Sequence, residues 1–264
     1  MKGVNLLLEL TEGARADAEA RRAELSYEAL EERARAARQP IDVAAALAHD
    51  PGHTHVIAEI KRSSPSKGAL AEITDPAALA SEYAAGGASC ISVLTESRRF
   101  GGSLDDLRAV RARVDVPLLR KDFISDEYQL LEARDAGADM VLLIVAVLQP
   151  ERLRELHAFA LDLGLSALVE VHDPSEIEHA LAADARILGV NTRDLKTFEM
   201  HPERFAQLRS QIPAGVVAVA ESGVSQLADV ERYRADGADA VLIGEALVRD
   251  GEPQKRVREF GAVR

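Results

Sequence analysis

The chain has 264 residues, 47% of them hydrophobic and 29% charged, with a formal net charge of −12 and no tryptophan. This composition suits a globular α/β chain with a core of Ala, Val, Leu and Ile. The acidic excess argues against broad nucleic-acid binding but leaves room for a locally positive site that takes an anion. The single cysteine, Cys90, excludes an intrachain disulfide and a thiolate metal cluster, and no apolar run reaches the length of a membrane span.

The chain opens on MKGVNLLLEL, whose apolar stretch is too short for a signal peptide and is interrupted by Glu9, so the cytoplasm is the expected location. The stretch NLLLELTEGARADAEARRAELSYEALEERARAAR is rich in strong helix formers. Residues 1–50 therefore read as a helical extension packed across one end of the main body, its charges forming a solvated face, with a mobile arm as the alternative. Pro40 and HDPGHTH mark the passage into that body, and no linker divides the rest, so residues 1–264 are expected to form one domain. His53 and His55 have no third ligand at matching spacing and read as a solvated loop.

From there, apolar runs alternate with helical patterns. VIAEI begins at Val56, CISVL at Cys90, VPLLRK at Val116 and MVLLIV at Met140. ALVEV begins at Ala167, ILGVN at Ile187, VVAVAE at Val216 and AVLIG at Ala240. They recur roughly every 20–35 residues, the span of a βα unit, and most are continuous, as parallel strands covered on both faces should be. GGASCISVL, DAGADMVLLI and DGADAVLIG repeat a Gly-Ala step, the glycine closing a helix in the left-handed region. ADARILGVN is a looser copy. Eight such units predict an α/β fold of the (β/α)8 TIM-barrel type with an N-terminal helical extension. An open doubly wound sheet is the alternative, but no G-x-G-x-x-G follows the first strand.

In this reading polar residues gather at the strand C-termini. Residues two apart on a strand share a face, so Ile57, Glu59 and Lys61 point one way and Val56, Ala58 and Ile60 the other. Leu119 likewise pairs with Lys121, Leu168 with Glu170, and Val219 with Glu221. Phe123 follows Lys121, Asn191 and Arg193 follow the sixth run, and Ser222 follows Glu221. A surface salt bridge explains any one of these residues. It explains poorly two lysines, three glutamates, an asparagine and an arginine all placed where barrel enzymes carry their chemistry. AESGV and LIGEAL put Gly223 and Gly244 just beyond the last two strands, where backbone N–H groups can approach a phosphate. SSPSKG adds Ser64 and Lys67 from the side. Cys90 reads as a core thiol; His172 and Asp173 read as a loop residue and a helix cap.

The segments IAEIKRSSPSKG, FGGSLDDL, LLRKDFI, ADMVLLIVAVL, LVEVHD, LGVNTRDL, VAESGV and VLIGEALV together resemble the indole-3-glycerol phosphate synthase family. They cover nearly the whole predicted barrel in order; EIKRSSPSKG and NTRDL are the specific ones, whereas the ESG and IGE loops occur in other phosphate-binding barrels. The resemblance implies ring closure, decarboxylation and dehydration of 1-(2-carboxyphenylamino)-1-deoxyribulose 5-phosphate, in tryptophan biosynthesis, with no metal or organic cofactor. It implies Lys121 as a general acid, Glu170 as an acid–base residue, Glu59 and Lys61 in charge shifts and proton transfers, and Asn191 in positioning. Ser64, Phe123, Leu142, Arg193, Leu195, Glu221 and Ser222 would contact the substrate, and Ser64, Gly223, Gly244 and Glu245 would surround its phosphate. Some family members have serine where this chain has Glu245, which leaves a backbone contact there. The expected partner is thus a small phosphorylated substrate, with no nucleic acid or membrane, and the expected state a monomer or weak homo-oligomer. Two other readings are a different phosphate-handling barrel, such as phosphoribosylanthranilate isomerase or a sugar-phosphate epimerase, and a noncatalytic binder. The isomerase has no evident need for Glu59, Lys61 and the NTR segment together, and a decayed binder would have lost the strand-end charges.

Overall fold

A computed structural model describes residues 2–65, 68–69, 73–194 and 197–264, with the backbone alone for residues 2–5, Ser64 and Ala69. Lys67 and Leu195 lie outside the described residues, as does the side chain of Ser64. Eight parallel strands close into a barrel. They are β1 (His55–Ile60), β2 (Cys90–Leu94), β3 (Leu118–Lys121), β4 (Met140–Ile144), β5 (Ser166–Val171), β6 (Ile187–Asn191), β7 (Val217–Glu221) and β8 (Ala240–Ile243). Each pairs with its neighbours in sequence, and β1 closes the ring, His55 beside Ala240 of β8 and Ile57 beside Cys90 of β2. Ser63–Ser64 and Gly68–Ala69 pair as a short antiparallel ribbon after β1.

Alternation along the strands divides the core in two. Ile57, Cys90, Leu119, Met140, Leu168, Ile187 and Val219 face inward and fill the barrel. Val56, Ala58, Ile60, Val93, Leu118, Val141 and Val169 face outward against the helices. Each fully buried Leu, Ile or Val contributes on the order of 1.5–3 kcal/mol, and a one-residue slip would exchange the two sets. The Gly-Ala-Asp repeat has a physical basis here. Gly137 and Gly237 take φ of 88° and 92° at helix ends, and the looser copy puts Asp184 there at 59°. The aspartate that comes next then grips the preceding strand: Asp139 accepts from the Leu118 N–H at 2.8 Å and Asp239 from the Ala218 N–H at 2.8 Å.

The first helices run the length of the barrel rather than across one end. At the strands' C-terminal end, α1 (Lys2–Glu24) brings Leu6, Leu7 and Leu10 to the barrel mouth. Alongside the barrel, α2 (Tyr27–Ala36) packs on α6 (Glu127–Asp135), where Arg33 donates to Asp135 at 2.9 and 3.0 Å. At the N-terminal end, the short α3 (Val43–Ala46) and Leu47 join the inner core and cover the floor. The charges of α1 and α2 are not all solvated: Arg21 pairs with buried Glu132, which also meets Arg120 at 3.3 Å. Arg120 is 1% exposed and also meets Asp122 at 3.0 Å, so a buried ion network joins α1 to the strand that carries Lys121. His55 is likewise no loop residue. It opens β1, buried, with Nε2 2.9 Å from the Ala48 carbonyl, because β8 extends the pairing one residue earlier than the apolar run suggests. Cys90 is a buried core thiol. Leu47→Ala is expected to lower the unfolding free energy by about 2–5 kcal/mol. A urea titration showing a loss of less than about 1 kcal/mol would mean that α3 does not seal the floor.

Candidate active site

All strand C-termini open on one mouth, a cavity of about 500 Å³. Inward alternation delivers Glu59, Lys121, Glu170, Asn191 and Glu221 to it, and Lys61 reaches it from just past β1. Phe123, Leu142, Arg193, Ser222, Gly223, Gly244 and Glu245 line the same cavity. The sequence-predicted residues whose side chains are described thus converge on one site.

Lys121 is its electrostatic centre. The Nζ lies 3.7 Å from Glu170 Oε2 and 3.6 Å from Glu221 Oε2. Burial opposes the ammonium, but Glu221, Glu170 and Glu59 outweigh that cost and hold its pKa above the usual lysine value. Burial pushes the Glu221 carboxyl up to about 8, with the charge of Glu170 adding to the effect. Burial acts on Glu170 in the same direction, yet Lys121, His172 and a hydrogen bond from Asn191 hold it below the ordinary carboxylate range. The two carboxyls are thus pushed in opposite directions, Glu170 toward the carboxylate and Glu221 toward the neutral acid, beside a stabilised ammonium. Across the mouth Lys61 pairs with buried Glu59. Two glycines make room: a Cβ on Gly189 would lie 2.0 Å from Glu221 Oε1, and one on Gly244 would lie 3.0 Å from Glu59 Oε2.

The loops after β6, β7 and β8 form the polar side. Asn191 Oδ1 accepts from the Arg193 N–H at 3.0 Å and from Ser222 Oγ at 2.9 Å, which leaves its amide group to donate toward Glu170. Ser222 takes φ of 68°, a left-handed conformation a serine adopts only under constraint, and Gly223 follows at 78°. The strained turn folds the β7 loop back over the mouth. The opposite walls are apolar: Leu6, Leu7 and Leu10 of α1, and the rings of Phe100 and Phe123, whose centroids are 5.9 Å apart. A slot with flat apolar sides and a polar end suits an aromatic ligand with a charged tail.

Sequence reasoning missed several residues here. The apolar face of α1 could not be aimed at the mouth without the fold. Arg249 lines the cavity four residues after Glu245 and pairs with it at 3.5 Å, an i,i+4 spacing that was legible. Asp173 is the cap predicted, accepting from the Glu176 N–H at 3.1 Å, and His172 is the loop residue predicted, but its partly buried ring stands 3.5 Å from Glu170.

The sequence pattern of the indole-3-glycerol phosphate synthase family matches residues 7–260. The chain belongs to that family. It is 55% identical over 262 residues to the indole-3-glycerol phosphate synthase of Micrococcus luteus, covering 98% of each chain. With the synthase of an Arthrobacter species identity is 56% over 262 residues, covering 98% of this chain and 96% of the relative. Members of the family are carboxy-lyases of tryptophan biosynthesis, acting on a small phosphorylated substrate. Solved barrels resemble the chain in fold. The 3-hexulose-6-phosphate synthase of Salmonella typhimurium has a TM-score of 0.65 at 17% identity, covering 80% of this chain and 98% of its own. The N-acetylmannosamine-6-phosphate 2-epimerase of Clostridium perfringens has a TM-score of 0.63 at 13% identity, covering 83% and 96%. No helix among the described residues is long and apolar enough to cross a membrane.

The raised proton affinity of Glu221 has a thermodynamic signature. The unfolded chain releases this proton near the ordinary 4.5, the folded chain near 8, so the stability Glu221 contributes falls as pH rises through that window. Glutamine does not titrate. Glu221→Gln should therefore gain stability relative to the native chain between the two pH values; a difference in denaturation midpoints that stays flat with pH would show that Glu221 ionises normally.

Proposed function

We propose that this chain converts 1-(2-carboxyphenylamino)-1-deoxyribulose 5-phosphate to indole-3-glycerol phosphate, with Lys121 and Glu170 as its principal acid and base. The observation that supports this most is Lys121 held between Glu170 and Glu221 inside an apolar slot, with Lys61 and Glu59 across from it.

The aromatic ring of the substrate lies between the α1 leucines and the Phe100–Phe123 wall, near Leu142. The phosphate reaches the loops of Gly223, Gly244 and Glu245, whose backbone N–H groups take the anion. Arg193 and Ser222 border the chain between the two ends, and Asn191 keeps Glu170 turned inward. Ring closure forms a bond from the ring carbon bearing the carboxylate to the ketone carbon, while Lys121 gives its proton to the ketone oxygen. The positive charge that develops on the ring and nitrogen sits against Glu170. Carbon dioxide leaves, and its bonding electrons neutralise that cation. The new hydroxyl then departs as water with a proton from Lys61, its charge balanced by Glu59, and Glu170 removes a proton from the methylene carbon beside nitrogen to complete the indole. Each bond change is polar and assisted by proton transfer, with no external electron donor or acceptor needed, so the proposed reaction calls for no cofactor.

The site is assembled from one chain, and α3 belongs to the same inner core as the strands. Both facts support residues 1–264 acting as one domain with residues 1–50 as its extension; the monomer or weak homo-oligomer and the cytoplasmic setting are part of the proposal alone. Lys121→Ala and Glu170→Gln should each lower kcat by roughly 10²–10⁴-fold, as expected for a general acid or base, while the circular dichroism spectrum stays native. Indole fluorescence from the metal-stripped enzyme, with carbon dioxide release as a check, measures this. Near-normal turnover in both variants would sink the assignment.

A further inference from the structure

Lys121 stands almost equally far from Glu170 and Glu221, 3.7 and 3.6 Å, so the ammonium cannot by itself decide which carboxylate carries the negative charge. Something beyond it must break the tie. His172 lies behind Glu170, outside the cavity lining, its side chain 12% exposed. Its Nδ1 is 3.2 Å from Glu176 Oε2, and the same oxygen accepts the His172 backbone N–H at 2.6 Å, so ring and backbone are fixed by one carboxylate of the following helix, α8 (Pro174–Ala182). The Nε2 is buried, has no hydrogen-bond partner among the described residues, and points at Glu170 Oε1 from 3.5 Å.

The other charges around the ring are few. Asp173 is occupied in capping α8 and in accepting from Ser175 Oγ at 2.7 Å. Arg204, from α9 (Arg204–Arg209), opposes the charge on the ring, and it is itself engaged with the Asn191 carbonyl at 3.0 Å and Asp194 at 3.7 Å. A neutral imidazole with its proton on the Glu176 side would aim a lone pair at the Glu170 carboxylate. An imidazolium offers an N–H to each. Burial lowers the proton affinity of the ring, but Glu176 and Glu170 together overcome it and Arg204, and the pKa is raised. On the other side Glu59 opposes ionisation of Glu221, and the Asn191 hydrogen bond favours the Glu170 carboxylate, so His172 acts in the same direction as both.

We propose that His172 is a positioning residue for the reaction: held by Glu176, its imidazolium makes Glu170 rather than Glu221 the ionised member of the pair. The inference rests on the assignment of Glu170 as the base. It implies that the histidine never touches substrate and acts only through the carboxylate, which it keeps ready to accept a proton.

Two measurements test it. In the native enzyme, ¹⁵N-resolved titration of the His172 ring should fall by about one pH unit in Glu170→Gln and again in Glu176→Gln, the usual size of the effect of a carboxylate at this range. In His172→Gln, the acidic limb of the kcat profile should move up by about one unit, giving about tenfold lower turnover below the limb and recovery above it. Glu176→Gln, which keeps the ring, should move the limb in the same direction and decides the matter if His172→Gln does not fold. Loss of kcat by the same factor at every pH, or a His172 titration that ignores Glu170→Gln, overturns the inference. Normal turnover in Glu170→Gln would remove the assignment beneath it, a different failure from an inactive Glu170→Gln with an unmoved His172.

Discussion

The structure depends on keeping opposite charges together where water is scarce. Lys121, Glu170, Glu221, Glu59 and Lys61 sit in a mouth whose walls are leucine and phenylalanine. An isolated ion there would be costly, so each is held against a partner of opposite sign. Lys121 meets two carboxylates at once, while burial raises Glu221 and the neighbours of Glu170 hold it low. Such an arrangement is poised rather than relaxed. In the reaction we propose, a substrate that develops positive charge during ring closure would meet a carboxylate facing it, and its ketone oxygen an ammonium. The reactive state of the site is thus a consequence of how the fold balances buried charge.

The N-terminal helices reach both ends of the barrel that holds that cluster. Leu47 and α3 cover the floor, and the leucines of α1 wall the mouth. Between them the network Arg21–Glu132–Arg120–Asp122 joins α1 to the strand carrying Lys121. The residue on one face of β3 is therefore clamped by ions against the helices while the next residue, on the other face, presents its ammonium to the mouth. Strand alternation makes the two roles compatible: what anchors Arg120 outside the barrel orients Lys121 inside it.

Much of this was legible in the residues. The two-residue period of VIAEIK put Ile57, Glu59 and Lys61 on one side, and they point into the barrel together. The same rule placed Lys121, Glu170 and Glu221, since the side chain of a strand residue is aimed by its neighbours of the same parity. It fails one step past the strand. His172 is the loop residue it looked like, but Glu176 of α8 holds its ring against Glu170, where no strand parity could aim it. His55 failed at the other end, where pairing with Ala240 extends β1 beyond its apolar run.

The sequence by itself determined the number of strands, the face each residue would take and the chemical types gathered at the strand ends. Local periodicity and turn chemistry specify those properties within one βα unit. Only the tertiary structure decided the rest: that α1 lies at the mouth and α3 at the floor, that Lys121 falls midway between Glu170 and Glu221, and that His172 stands behind one of them. Those relations join residues far apart in the chain, and it is barrel closure that brings them within a few ångströms of one another.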